Sequence, residues 1–437
     1  MLKTLKNAFK IKDIRRKLLF TLAMLVVIRI GSQLPVPGVN GEVFKSWFQQ
    51  QTGGAFSFFD AITGGSFASM AILALGINPY ITSSIIIQLL TIAIPKLEEM
   101  QRDGADGKKK IASLTRYVTV ALAVLQSTAM AIGFGRQGYL TDYNVLSVIT
   151  VVMALTAGSA FLMWVGERIT EHGVGNGISI VLVINILSRL PQDLSNLFNQ
   201  FVIGKAPATA VLAAVIIFAI IIAMVVLVII LNAGVRKIPV QYAKKVQGRK
   251  MVGGQTSSIP LKVNTSGVIP VIFAQSILQF PLIICSLVGY QGEGFWGEVL
   301  KGMNAEYWCR PSQPIYSIGL LVYIVLIIFF AHFYTSITFN PLMIADNMKK
   351  QGGFIPGIRP GKPTSDYLSR VLYYIIWVGA TGLTIVAIIP YIFNGVFGAS
   401  VSFGGTSLII IVSVVLETMK QVESQMMVRN YKGFLEG

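Results

Sequence analysis

Apolar residues in this chain come in long, nearly continuous runs rather than in stripes. Leu18–Leu34, Ala210–Leu231 and Ile315–Phe333 each approach or exceed the roughly 20 residues that carry a helix across about 30 Å of hydrocarbon. Between polar breaks the pattern predicts spans near 18–34, 68–94, 117–134, 146–166, 177–190, 209–233, 265–290, 315–338, 371–392 and 404–419. A β-barrel would need alternating segments of about 10 residues instead. The expected fold is an all-α polytopic membrane protein of ten transmembrane helices. One stretch resists this reading. "FSFFDAITGGSFASM" (56–70) is too broken by Gly64 and Gly65 for a span, and too rich in Phe, Ile and Met for an ordinary loop. It predicts a short, half-apolar helix just ahead of span 2.

Composition strengthens the membrane reading. Of 437 residues, 54% are hydrophobic and only 13% charged, where soluble domains carry about a quarter charged. A net charge of +17 would suit a nucleic-acid binder, but the placement of the charge says otherwise. Ten crossings put both ends of the chain on one side, and that side collects 29 of the 36 Lys and Arg residues. The other side holds 6, and Arg29 lies within span 1. This bias predicts a multi-pass membrane protein with both termini in the cytoplasm, and no specific DNA binding. In residues 1–17, Leu2, Leu5, Phe9 and Ile14 share one face, as in an amphipathic helix on the cytoplasmic surface rather than a cleavable signal. Cys285, Cys309, His172 and His332 are too scattered for a disulfide framework or a metal site, and no cofactor is expected.

The chain divides into a basic segment (1–17), a first half (18–190), an outer hinge loop (191–208), a second half (209–419) and a tail (420–437). Five spans per half give the halves opposite orientations. Short matches support such an inverted repeat. Span 2 contains "GINPYI" and span 7 "GVIPVI", while span 5 opens on "GISIVL" and span 10 on "GTSLII". Gly/Pro interruptions at matching places in two halves point to the functional centre of this kind of fold. Pro79 and Pro270 are expected to loosen their helices near Leu75 and Ser266. Two cytoplasmic loops, 235–264 and 341–370, are large and basic. The first mixes Val, Ile and Tyr with Lys and Arg and could form a short hairpin. The second, "GGFIPGIRPGKP", places Arg359 at its tip. Loops of such ordered composition read as docking surfaces.

Catalytic signatures are missing from the sequence: no HExxH, P-loop or GxSxG occurs. The spans are nearly free of the charged residues that mark ion and proton pathways. That argues against an enzyme and against a coupled carrier, although a secondary transporter of a small solute shares the inverted-repeat design and stays as the alternative. The candidate centre is aliphatic: Ile77, Ile81, Leu182, Ile186, Ile269, Ile272, Leu408 and Ile410. Spacings of three and four put Ile77 with Ile81, Leu182 with Ile186, and Ile269 with Ile272 on one helix face each. Ordinary packing explains such stripes; a ring of them around a pore would instead exclude ions by dewetting.

Several stretches together carry a resemblance. "ALGINPYITSSIIIQLL" (74–90), "GERITEHGVGNGISI" (166–180), "VQYAKKVQGRK" (240–250), "PLKVNTSGVIPVIFAQSI" (260–277), "FIPGIRPGKPT" (354–364) and "FGGTSLII" (403–410) resemble the SecY family of protein-conducting channel subunits, nearly end to end. The resemblance implies two pseudo-symmetric halves around an hourglass pore that passes unfolded secretory proteins and releases transmembrane segments sideways into lipid. It implies a pore ring of Ile77, Ile81, Leu182, Ile186, Ile272 and Ile410, with Leu182 where Ile is more usual. It makes 56–70 a plug, including Phe58, Phe59, Ile62, Gly64, Gly65 and Phe67. It makes spans 2 and 7 a lateral gate, with Thr82, Gln88 and Phe280 at gate positions and Gln275 and Gln279 nearby. Arg236, Lys237, Lys244, Lys245, Arg249, Lys250, Arg359 and Lys362 fall on surfaces that would dock a SecA-like motor ATPase and the ribosome. SecE-like and SecG-like small subunits, signal sequences and membrane lipid complete the implied partners.

Overall fold

The computed structural model describes residues 9–50, 55–203, 207–242, 245–247, 250–252, 256–288, 294–397 and 405–435. The first half contains α1 (Lys12–Gly31), α2 (Gly41–Gln50), α3 (Ala55–Thr63), α4 (Asn78–Ala93), α5 (Pro95–Arg102), α6 (Gly104–Arg136), α7 (Val145–His172) and α8 (Gly177–Phe201). The second contains α9 (Pro207–Ala233), α10 (Ile269–Val288), α11 (Gly294–Met303), α12 (Ile318–Thr338), α13 (Pro341–Lys350), α14 (Lys362–Phe397) and α15 (Gly405–Leu435). A helix lies at each expected span. By length and composition, seven described segments are long and apolar enough to cross a membrane, or eight if the bent pair α4–α5 is one span. Two helices fall below that mark for different reasons. α1 carries Arg15, Arg16, Lys17 and Arg29 along its length, and α10 enters the search only with its fully described stretch Ile269–Leu282, which is apolar.

Each half packs its helices in the same order. α4 lies on α6 as α10 lies on α12; α6 meets α7 as α12 meets α14; α7 meets α8 as α14 meets α15; α1 lies on α7 as α9 lies on α14. Matching glycines make the tightest of these contacts. A Cβ added at Gly177 or at Gly405 would sit 1.9 Å from a carbonyl oxygen of the preceding helix, Gly166 O or Val386 O. Gly158 of α7 is pressed in the same way on Ile72 O, and Gly379 of α14 on Val263 O. Ile72 and Val263 each stand four residues before the glycine of the repeated Gly-x-x-Pro motif, Gly76 and Gly267.

That motif does not kink a helix; it starts one. Gly76 and Gly267 hold φ of +60° and +66°, a conformation glycine adopts without steric cost. The helices begin two residues later, so Pro79 and Pro270 each take the second helical position. There the missing N–H costs nothing, because the first four helical N–H groups have no intrahelical partner. Leu75 and Ser266 therefore precede the helices instead of lying inside loosened ones. Span 2, expected from residue 68, is helical only from Asn78. Its outer part is a run of turns joined to the end of span 1: Val36 N donates to Met70 O at 2.9 Å, and Ile72 N to Leu34 O at 2.8 Å. At its inner end Ile94 is extended before Pro95, and the axis turns by 108° into α5. Proline disfavours helical backbone in the residue before it.

Two further expectations change. The hinge loop is not a loop from 191: α8 runs on through Pro191 to Phe201. The extension persists because Leu190, Leu197 and Phe201 pack on Ile217 and Ile221 of α9. Of the basic start, Leu2 and Leu5 lie outside the described residues. Ile14 is buried with Val174 and Val422 against the inner ends of the bundle rather than facing lipid. The loop 235–264 does form a hairpin. β1 (Val235–Tyr242) pairs antiparallel with β4 (Thr256–Lys262), and β5 (Gly353–Phe354) from the second basic loop adds to the other edge of β1. β2 (Lys245–Gln247) and β3 (Lys250–Val252) make a small ladder at its tip. Ile238, Val240 and Leu261 pack with Met348, Ile355, Leu368 and Val371, so the two basic loops form one platform on α13 and α14.

Candidate functional site: an aliphatic constriction and its cap

Each half has an interior of its own. Val36, Phe44, Phe67, Phe134, Val151 and Leu155 belong to the first; Met224, Val271, Tyr323, Ile327, Leu383 and Ile409 belong to the second. Between them lies a third cluster that draws on both. Ile77 at the start of α4, Leu182 and Ile186 of α8, and Ile410 of α15 are buried in it; Ile81 of α4 and Ile272 of α10 pack against it half-buried. All six residues singled out in the sequence as a ring thus share one contiguous cluster; the six come from four helices, and Ile28 of α1 and Leu162, Val165 and Ile169 of α7 belong to the same cluster. Val268, just before α10, also packs there and was not anticipated. Leu408 goes elsewhere, into the second-half core, because it lies two residues and so about half a turn from Ile410.

Ile62 of α3 is 5% exposed and belongs to the same cluster. Phe59 and Phe67 of the same segment pack in the first-half core. Phe67 is fully buried, in edge contact with Phe44, Phe48 and Phe59. The aromatic residues therefore anchor the segment, and Ile62 is the side chain that meets the ring residues. Phe58 is helical, but its side chain lies outside the described residues. Gly64 and Gly65, with φ of +71° and +85°, turn the chain against α8. A Cβ at Gly64 would lie 2.9 Å from Asn185 Cα and from Ser188 Oγ.

Polar groups fix this turn. Asp60 is fully buried; its Oδ2 pairs with Arg189 Nη2 at 2.7 Å, and its Oδ1 accepts from Ala68 N at 2.8 Å. Gly64 O accepts from Ser188 Oγ at 3.2 Å and from Arg29 Nη1 at 3.4 Å. Burial pushes the Asp60 carboxyl above its ordinary pKa, against the opposing pull of Arg189 and the Ala68 N–H; nearby Asp193 adds to the rise. In sequence Asp60 stands in segment 56–70 and Arg29 within span 1. An ionisable residue within a membrane-embedded apolar stretch was the available signal.

At the expected gate, Thr82 and Gln88 of α4 and Phe280 of α10 are exposed, and Gln279 is half-buried. Gln275 is not at that surface. It is buried in the second half, where its Nε2 donates to Tyr391 Oη at 2.9 Å and its Oε1 accepts from Thr406 Oγ1 at 3.4 Å. Across the junction α10 lies against α6 and α3, and α8 against α15. On the platform, Arg236, Lys237, Arg359 and Lys362 are exposed. Lys245 and Lys250 stand on β2 and β3, and Lys244 and Arg249 lie outside the described residues.

The family profile of SecY matches residues 71–419. Over its whole length the chain is 44% identical to the protein translocase subunit SecY of Streptomyces galbus and 43% identical to that of Bacillus licheniformis, covering 100% of each. The chain belongs to the SecY family. Solved structures agree on the fold. A protein-conducting channel covers 94% of this chain and 92% of its own at a TM-score of 0.62 and 18% identity. A structure concerned with the plug domain of the SecY protein gives 0.61 and 18%, over the same shares. SecY membership makes this a multi-pass membrane protein.

Proposed function

We propose that this SecY-family chain is the channel-forming subunit through which unfolded secretory proteins cross the cytoplasmic membrane, and from which apolar segments leave sideways into lipid. The observation that carries the reading is the aliphatic cluster shared by α4, α8, α10 and α15 at the junction of two separately cored halves, capped by Ile62. Six aliphatic side chains around a narrow passage hold off water and ions at rest and yield to a threading chain. α3 and the turn after it act as the plug. The face bearing Thr82, Gln88 and Phe280 is the gate. Opening it lets the bilayer sort segments: at mid-membrane each Leu, Ile or Phe favours insertion by about 0.3–0.6 kcal/mol, and a charged residue opposes it by about 3 kcal/mol. The platform of β1, β4 and β5, with Arg236, Lys237, Arg359 and Lys362 exposed, is the docking face for a cytoplasmic motor ATPase and the ribosome. Both ends of the chain lie in the cytoplasm, and SecE-like and SecG-like subunits accompany it.

The decisive experiment stalls a secretory chain in transit with photo-crosslinkers placed singly at Ile77, Ile81, Ile186, Ile272 and Ile410. All five positions should react with the same short stretch of substrate. Reaction at residues on one helix alone, with silence at the other three helices, would remove the pore-ring assignment.

A further inference from the structure

The plug reading leaves one matter open: what holds the plug while the channel rests. Among the described residues, Ile62 is the side chain of this segment that belongs to the ring cluster. Its polar contacts all run to the first half: Asp60 to Arg189, and Gly64 O to Ser188 and Arg29. Asp60 is fully buried and the Arg189 side chain is 20% exposed. The carboxylate also receives the Ala68 N–H, and the Thr63 hydroxyl and Gly65 N–H bond to Asp60 O. Residues 60–68 are thereby folded into a compact turn around Asp60, and that turn is keyed to α8.

A buried ion pair is an unusual fastener. Removing two charges from water costs several kcal/mol per ion, which their attraction in a dry interior only about returns. It therefore fixes a pose more than it adds depth to the well. It is also sensitive to water, because the attraction between two charges weakens as the dielectric constant around them rises. We propose that Asp60 and Arg189 form a latch that releases on wetting. At rest, with Asp60 fully buried, the pair holds the turn against α8. When a translocating chain brings water past the ring, each charge regains hydration and the turn is free to leave. This inference rests on segment 56–70 being the plug, but it assigns the hold to the first half and to these two residues.

The test uses the full chain with its co-purified subunits in proteoliposomes, reading resting potassium release and motor-driven export of a secretory substrate. R189M strands the Asp60 carboxylate. D60N keeps an oxygen for the Ala68 N–H but removes the charge. Each single variant should raise resting release several-fold while export persists. The double variant D60N/R189M removes both charges of the pair and should leak less than the two single effects combined predict. A deletion of residues 57–63 serves as reference. If the deletion leaks and both single variants match the parent, the latch is overturned while the plug stands. If the deletion itself does not leak, the plug reading falls and takes the latch with it. Export above background by each variant shows that it has folded.

Discussion

Ile410 is 2% exposed, yet it lies where two independently cored halves meet. Side chains in a half's own core can be replaced by others of similar volume at modest cost. A side chain in the shared cluster must also keep water out. Changing Ile410 to Asn puts an amide into that cluster, where an unpartnered polar group costs about 1–3 kcal/mol, and the least costly repair is a water molecule. Resting ion release should rise, and export should become less selective for signal sequences. An I410N channel as tight and as selective as the parent would mean that Ile410 merely packs. Gln275 carries a complementary lesson. Its neighbours in sequence place it at the gate, but its amide is bonded to Tyr391 and Thr406 inside the second half, so Gln275→Ala should affect the packing of α10 on α14 and α15 more than the gate surface.

At the scale of elements, glycines set how closely the helices approach. Gly177 and Gly405 open α8 and α15, the two helices that bring Leu182, Ile186 and Ile410 to the constriction, and each is pressed on a backbone oxygen that cannot swing aside. G177A or G405A should destabilise the protein by about 1–3 kcal/mol, the usual cost of overpacking. Thermal unfolding in detergent would show it beside G41A, where nothing lies within 4 Å of the added methyl. Unchanged melting in both would argue against this close approach. The apolar runs made most of the helices legible from sequence, because membrane helices are specified by continuous hydrophobicity. The paired Gly-x-x-Pro and Gly-x-Ser motifs were legible as a repeat, though their geometry was misjudged: a proline near the start of an apolar run looks the same whether the helix begins before or after it. The extension of α8 past Pro191 was hidden because it rests on α9, a partner the local sequence does not reveal. The edge strand β5 and the Asp60–Arg189 pair join distant parts of the chain, and no local pattern announces such contacts.

For the whole molecule, two cores joined through one shared cluster describe a body that can divide. Within a half, helices pack in matching order and the glycine contacts are tight; between halves the described contacts include α8 on α15 and on α9, and α10 on α3 and α6. Separation along the α4–α10 side would turn the exposed Thr82 and Phe280 into opposite lips of an opening. Cysteines at these two positions should form a disulfide in the resting channel, and oxidation should stop the release of transmembrane segments until a reductant is added. Full release with the bridge complete would move the opening elsewhere.

The bonds between residues 34–36 and 70–72 set one more limit. Val36 and Met70, and Leu34 and Ile72, are held together by backbone hydrogen bonds of 2.9 and 2.8 Å, so the two ends of the stretch that contains α2 and α3 are fixed to each other. A stopper built on that stretch is leashed. In the proposed plug role it would swing out on a tether of fixed length, unable to follow a departing substrate, and would be back within reach of its seat as soon as the passage empties, with no search for its place between one passenger and the next.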